Sequence, residues 1–281
     1  MKFLSVFLVF AFVLSASLRA EESESLADRT LRQLVDRQKE LMAEAAKAGA
    51  NFDEGNFQTQ MEQVCRGYED LLRANPKFAI GFASYGYLLS KLDQRKQSIT
   101  MLLKANQLDP DQPLVKNQIG NYLAEEGRPL DALPYFLAAI KLAPKEPLYH
   151  YQLGTLLTEA RDDFLKSGEW KREAIDHAIH EAFRQAAELA PGEFAYQFRY
   201  AESFNDMEVP DWDGALKQWA RLEENAPTPI ERETMRLEAA NVLIRQGKLD
   251  HARAVLATVT QPELLKQKEK LVAQLAAPAE K

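Results

Sequence analysis

The sequence predicts an all-α chain built from repeated pairs of antiparallel helices. The first observation is that proline and glycine each recur three times at a spacing of thirty-four residues. The members of these two series are Pro76, Pro110 and Pro144, and Gly86, Gly120 and Gly154. The second observation is that apolar residues between these markers recur at three- and four-residue steps, as expected when one face of each helix is buried.

The central copy shows why these residues stand at this spacing. Gly120 lies in the middle of a predicted helix, where glycine costs roughly 1 kcal/mol relative to alanine. A cost repeated in three copies indicates a steric need, and close approach of the two helices of a pair supplies it. Gly127 and Pro129 form the turn between those helices, and Pro144 ends the second one. A single pair cannot bury both of its faces, so neighbouring pairs must stack.

A glycine early in the unit, Ala132 and Phe136 later, and a proline at its end resemble the tetratricopeptide repeat (TPR) family. The resemblance covers most of the chain. It implies an all-α TPR solenoid, a right-handed superhelix of antiparallel helix pairs, with about five to six repeats plus terminal capping helices. Ser98 departs from the pattern, because the family favours alanine at that position.

The composition fits a globular helical chain. The 281 residues are 46% hydrophobic and 27% charged, with a formal net charge of −7. A negative chain lacks the basic face that nucleic acid requires, so we expect no nucleic-acid partner. The length alone would permit two domains, but a solenoid is continuous.

The first twenty residues differ in kind from the rest. Lys2 precedes an uncharged apolar run over residues 3–18, and acidic residues follow Ala20. This pattern predicts a signal peptide over residues 1–20 and export to the periplasm or the medium, with cleavage after Ser17 as an alternative. An uncleaved segment that anchors the chain is the other alternative, and membrane contact is expected in that case alone.

The remaining chain divides by its match to the repeat. Residues 21–56 are predicted to hold an N-terminal helix and loop of a degenerate first repeat, and residues 57–260 the solenoid. Its later repeats lie near 79–112, 113–146, 147–193, 194–229 and 230–260, and a capping helix and tail fill residues 261–281. The lone Cys65 can form no internal disulfide and is interpreted as a small apolar side chain, with a reactive thiol as the alternative.

The repeat at 147–193 contains a surplus of about thirteen residues, which we place near 161–173. We expect it to lengthen both helices of the repeat and to form a protruding turn at Ser167 and Gly168. Insertions in repeat proteins often serve binding, although a neutral extension fits equally well.

Few residues suggest chemistry. The sequence has no glycine-rich phosphate loop, no paired cysteines and no nucleophile elbow, so we predict no enzyme and no cofactor. His177, His180 and Glu181 share one helix face and are weak metal-ligand candidates that would need further ligands.

The resemblance instead implies a binding groove, because the first helix of each TPR lines the concave surface of the solenoid. The matching positions predict a partner-binding set of Tyr87, Asn117, Asn121, Tyr151, Thr155, Phe198, Glu202 and Asn205. We therefore expect a non-catalytic scaffold or adaptor that binds an unidentified protein or peptide outside the cytoplasm. The alternative is an accessory protein of the cell envelope that binds a small molecule or a metal.

Overall fold

The computed structural model describes residues 25–49, 52–209 and 211–276. These residues form fourteen α-helices and contain no β-strand. No helix among them is long and apolar enough to cross a membrane. The predicted signal peptide lies outside the described residues, and its prediction stays untested.

The helices follow one another with short connections, and 3₁₀ turns at Phe204–Asp206 and Pro262–Leu264 precede α11 and α14. Their bounds are α1 Leu26–Ala48, α2 Glu54–Ala74, α3 Ala79–Lys91, α4 Arg95–Leu108, α5 Pro113–Glu125, α6 Pro129–Leu142, α7 Pro147–Glu159, α8 Arg161–Lys166, α9 Arg172–Leu189, α10 Phe194–Ser203, α11 Trp212–Asn225, α12 Pro229–Arg245, α13 Leu249–Ala257 and α14 Leu265–Ala276.

The chain divides into two units after Gly81. In the first unit, α1 and α2 form a hairpin, and the side chains of Ser25 and Asp53 cap their N-termini. The helices approach closely where Gly67 meets Leu34. The buried Tyr68 hydroxyl donates a hydrogen bond to Gln38 Oε1 at 2.9 Å, which satisfies both polar groups.

The second unit is a series of helix pairs. α3 meets α4 through Gly86 and Leu102, and α5 packs on α6, α10 on α11, and α12 on α13. α7 pairs with α9 rather than with the intervening α8, and α14 closes the series against α12 and α13. The predicted all-α TPR solenoid is confirmed.

The repeated glycines lie where two helices of a pair approach each other. A Cβ atom added at Gly86 would lie 2.8 Å from Leu102 Cγ and 3.2 Å from the Leu102 backbone nitrogen. One added at Gly154 would lie 2.8 Å from the ring of Phe183. Real Cβ atoms do not approach so closely, so the predicted steric need for glycine is confirmed.

The spacing between the contacting residues gives the length of the insertion. Gly120 meets Phe136, sixteen residues later, whereas Gly154 meets Phe183, twenty-nine residues later. The difference, 29 − 16, is the predicted surplus of thirteen residues. The insertion therefore leaves the contact between the two helices of its repeat unchanged.

The exception at Ser98 has a hydrogen-bonding explanation. Its side chain is buried, and its hydroxyl donates to the backbone carbonyl of Gly86 at 2.8 Å. The hydroxyl thus fits the space that the family gives to alanine because a carbonyl on the facing helix accepts its proton.

The predicted shape of the insertion is partly wrong. The first helix, α7, ends at Glu159 and is no longer than α5; only α9 is extended. The surplus residues form the separate helix α8 and an exposed turn in which Gly168 has φ +77°. α8 is anchored rather than protruding, because Phe164 is fully buried in the core and its ring meets Trp170 edge-on at 5.8 Å.

We predict that Phe164→Ala lowers the free energy of unfolding by about 3–5 kcal/mol, the usual cost of removing a buried phenyl ring. Lys166→Ala, an exposed change on the same helix, is the matched control and should change it by less than about 0.5 kcal/mol. Urea denaturation followed by circular dichroism measures both. Equal, small effects would mean that burial of Phe164 does not anchor α8.

Candidate functional site

The predicted partner-binding residues lie on the first helices of the pairs, α3, α5, α7 and α10, or directly after α10. We call the surface formed by α3, α5, α7, α10 and α12 the first-helix face. Seven of the eight predicted side chains are half-buried there: Tyr87, Asn121, Tyr151, Thr155, Phe198, Glu202 and Asn205.

For Asn117 the prediction is wrong. This side chain has 0% of its surface exposed, so it cannot contact a partner from its position. α5 packs against both α4 and α6, which leaves little of its surface open to solvent. Neither amide atom of Asn117 has a hydrogen-bond partner among the described residues.

The two aromatic candidates differ in what they offer a partner. Tyr151 is held between Tyr196 and Phe183, with ring centroids 4.8 and 5.8 Å away, so it stabilises the packing of its repeat. Phe198 packs edge-on against buried Trp219 at 5.3 Å and meets Phe194 at 5.7 Å. Phe194 is 46% exposed, and the pair therefore presents aromatic surface to solvent.

A carboxylate continues this aromatic surface. Phe194, Phe198 and Glu202 are four residues apart on α10 and therefore share one side of the helix. Glu202 accepts a hydrogen bond from Arg199 at 2.7 Å, and the Arg199 guanidinium lies 4.8 Å from the centre of the Phe183 ring. The arginine is thus positioned by both an ion pair and a ring.

Glu238 on α12 adds a second carboxylate. Burial, and then the charge of nearby Glu202, raise the pKa of the Glu238 carboxyl. Gln267 on α14 donates to Glu238 Oε1 at 3.5 Å, and no cation forms an ion pair with it among the described residues. We call Phe194, Phe198, Glu202 and Glu238 the aromatic–acidic patch.

The sequence did not predict two members of this patch. Phe194 is the first residue of α10 and preceded the positions taken from the family pattern. Glu238 lies in the last repeat, where the match to that pattern is weakest. Counting from residue 230, the predicted start of that repeat, would have placed Glu238 at the position that Glu202 occupies in the repeat beginning at residue 194.

The other half-buried candidates differ in the groups that they contact within the chain. The Lys91 ammonium lies 5.2 Å from the centre of the Tyr87 ring, and the Thr155 hydroxyl donates to the Tyr151 carbonyl at 3.0 Å. The amide oxygen of Asn205 is buried and has no hydrogen-bond partner among the described residues. Asn121 is left as the amide best placed to bond an extended peptide backbone.

The metal-ligand candidates are not brought together. His177 is exposed, whereas the Nδ1 atom of His180 shares a 2.9 Å hydrogen bond with Ser203 Oγ, and its ring packs against the rings of Tyr200 and Phe204. Glu181 is held by two hydrogen bonds from Arg184, which lower its pKa to about 2. Among the described residues, no group of three or more His, Cys, Asp or Glu side chains could hold a metal ion.

A buried ion cluster instead occupies the start of α9. Asp176 is 2% exposed and lies 2.6 Å from Arg172 Nε and 3.3 Å from Arg161 Nε. Arg161 also reaches Asp206 at 3.3 Å. The cluster ties the insertion to the turn after α10, a contact that residue spacing did not reveal.

Comparison with known proteins agrees with this architecture. The tetratricopeptide repeat profile matches residues 82–112, the pair α3 and α4. The chain contains a tetratricopeptide repeat, and its described residues have the TPR solenoid fold. No curated protein sequence matches it.

Several solved TPR structures share the fold at low sequence identity. PilF of Pseudomonas aeruginosa is 14% identical with a TM-score of 0.58, over 88% of this chain and 97% of that one. YrrB, described as a TPR protein with an unusual peptide-binding site, is 18% identical with a TM-score of 0.57, over 68% and 89%. PilW, a type IV pilus biogenesis factor, is 11% identical with a TM-score of 0.56, over 89% and 99%. At these identities the comparison shows the fold alone.

We predict that His180 makes the stability of this TPR protein fall in mild acid. Burial lowers the pKa of His180 below its ordinary value, against the smaller opposing charges of Glu181 and Asp211. As the pH falls, the unfolded chain therefore binds a proton at this histidine before the folded chain does. The contribution of neutral His180 to the free energy of unfolding is lost as the pH falls from about 6.5 through the lower pKa of His180 in the folded chain.

Urea denaturation between pH 7.5 and 5 tests this prediction. The stability difference between wild type and His180→Asn should shrink as the pH falls, while exposed His177→Asn should follow the wild type at every pH. A difference that stays constant would show that His180 does not titrate in this range.

Proposed function

We propose that the protein is a non-catalytic scaffold that binds an extended peptide or protein segment along its first-helix face. The observation that carries this proposal is the aromatic–acidic patch. It combines the exposed aromatic ring of Phe194 with the carboxylates of Glu202 and Glu238, and the charge of Glu202 raises the pKa of the Glu238 carboxyl.

The patch favours a particular kind of segment. Phe194 and Phe198 offer rigid contact area at a low cost in side-chain entropy. Burial and the charge of Glu202 raise the pKa of the Glu238 carboxyl, so a positive charge from the partner would stabilise the Glu238 carboxylate and would compete with Arg199 for Glu202. The segment therefore carries an apolar residue next to lysine or arginine, and Asn121 bonds its backbone further along the face. YrrB, which shares the fold, is described as having a peptide-binding site, and this supports peptide binding as the general class of function.

We also propose that the protein acts outside the cytoplasm. The support is the sequence of residues 1–20, with Lys2, the apolar run and the polar residues that follow. An uncleaved segment would place the same scaffold at the membrane surface.

The alternative, a small-molecule or metal-binding accessory, has less support. His180 and Glu181 are engaged by Ser203 and Arg184, and Tyr151 is enclosed by other rings. The binding proposal rests instead on Phe194, which is 46% exposed.

Site-specific photocrosslinking tests the proposal. We predict that a benzophenone amino acid at position 194 or 121 crosslinks to a partner in envelope extracts, whereas one at exposed position 141 on α6 does not. Adding Glu202→Gln and Glu238→Gln should weaken the crosslink from position 194 at least threefold, because both charges that attract the segment are removed. Circular dichroism checks that each variant is folded.

Equal crosslinking from positions 194 and 141, or none from the first-helix face, would contradict this account. A crosslink that is insensitive to the glutamine substitutions would remove the two carboxylates from the proposed contact.

A further inference from the structure

A buried carboxylate of α12 holds the segment that connects α13 to the 3₁₀ turn before α14. This segment, residues 258–261, is called the α13–α14 connection. Glu233 Oε2 accepts hydrogen bonds from the backbone N–H groups of Thr260 and Gln261 at 2.6 and 2.7 Å. Glu233 Oε1 accepts a third from the Thr260 hydroxyl at 2.9 Å. One side chain therefore fixes a segment that lies 27 to 28 residues further along the chain.

These hydrogen bonds need an ionised carboxylate. Both oxygens of a carboxylate accept hydrogen bonds, whereas a protonated carboxyl group turns one oxygen into a donor and an amide has a single acceptor oxygen. The bonds from Gln261 and then Thr260, with a smaller effect of the Arg236 charge, hold the pKa of the Glu233 carboxyl below its ordinary value against the opposing effect of burial. The conformation with these bonds therefore binds the Glu233 proton more weakly than one in which they are broken.

The neighbouring charged groups have other partners. Arg236 on α12 forms an ion pair with Glu223 on α11 at 2.6 Å and donates to the carbonyl of residue 258 at 3.3 Å. Lys268 on α14 donates to the carbonyl of residue 259 at 2.8 Å. Both cations bind carbonyl oxygens of the α13–α14 connection, whereas Glu233 accepts from its N–H groups. The two kinds of contact are thus not interchangeable.

The order of α14 depends on this connection. The helix has 12 residues, a length that is marginal for an isolated helix in water, and it packs on α12 and α13. Leu271 and Leu275 of α14 and Leu264 of the preceding turn join the core cluster of those helices. By fixing where α14 begins, Glu233 also sets the position of Gln267, which lies 3.5 Å from Glu238 of the aromatic–acidic patch.

We propose that Glu233 is an acid-sensitive clasp for α14: the ionised carboxylate docks the helix on α12 and α13, and protonation releases it while the preceding helix pairs stay folded. The contribution of the clasp is fully present above the ordinary pKa of glutamate, about 4.3. It is lost as the pH falls below this value through the lower pKa of Glu233 in the docked state. Release would also withdraw Gln267 from Glu238. The clasp acts independently of the proposed peptide binding.

Hydrogen exchange of the full-length chain, followed by mass spectrometry, tests this proposal. Protection factors, corrected for the intrinsic pH dependence of exchange, are compared for α14 and for the reference pair α5 and α6 between pH 6.5 and pH 3.5. In the wild type, the protection of α14 should fall at least tenfold more than that of the reference pair. In Glu233→Gln, the protection of α14 should already be at least tenfold lower at pH 6.5, because the charged acceptor is lost.

Two further variants separate the clasp from general effects of charge. Glu269→Gln removes an exposed carboxylate from α14 itself and should follow the wild type at every pH. Thr260→Val removes the hydroxyl donor to Glu233 and keeps both backbone N–H donors. In this milder variant α14 should be docked at pH 6.5 and be released at a higher pH than in the wild type.

Three results would overturn the proposal. A parallel loss of protection in α14 and the reference pair would show that acid unfolds the whole chain together. A wild-type pH profile of α14 in Glu233→Gln would show that another group controls the helix. Equal effects of Glu269→Gln and Glu233→Gln would show that the loss of any nearby negative charge is sufficient.

Discussion

The rest of this structure depends on close contacts between a glycine on one helix and a large apolar residue on the facing helix. Gly86 faces Leu102, and Gly120 faces Phe136, at the same point of each pair. Each contact fixes how closely the two helices approach. The distance between helices in turn fixes which side chains are left for the neighbouring pair and which face solvent.

The insertion shows how strongly this constraint acts. Thirteen additional residues separate Gly154 from Phe183, yet their contact matches those of the uninterrupted repeats. The surplus could not enter the packed interface, and it became α8, which buries Phe164 over the surface of α6 and α7. Asp176, held by Arg161 and Arg172, fixes the position at which the chain returns to α9.

The sequence alone predicted the features that depend on the thirty-four-residue repeat. The helix pairs, the role of the repeated glycines and the size of the insertion all follow from spacing, because each depends on contacts that recur every thirty-four residues. The burial of Asn117 could not be predicted, because it depends on how far α4 and α6 cover α5. The separate helix α8 and the proximity of Glu238 to Glu202 also depend on contacts between different repeats, which no local pattern encodes.

The most direct test of the central constraint is a double-mutant cycle between Gly154 and Phe183, measured as the free energy of unfolding in urea. In the wild type, Gly154→Ala should be destabilising by about 1–3 kcal/mol, because the new methyl group overlaps the ring of Phe183. In a Phe183→Val background the ring is absent, and the same change should be stabilising by up to about 1 kcal/mol through helix propensity. That reversal of sign would support the account. An effect of the same sign and size in both backgrounds would contradict it.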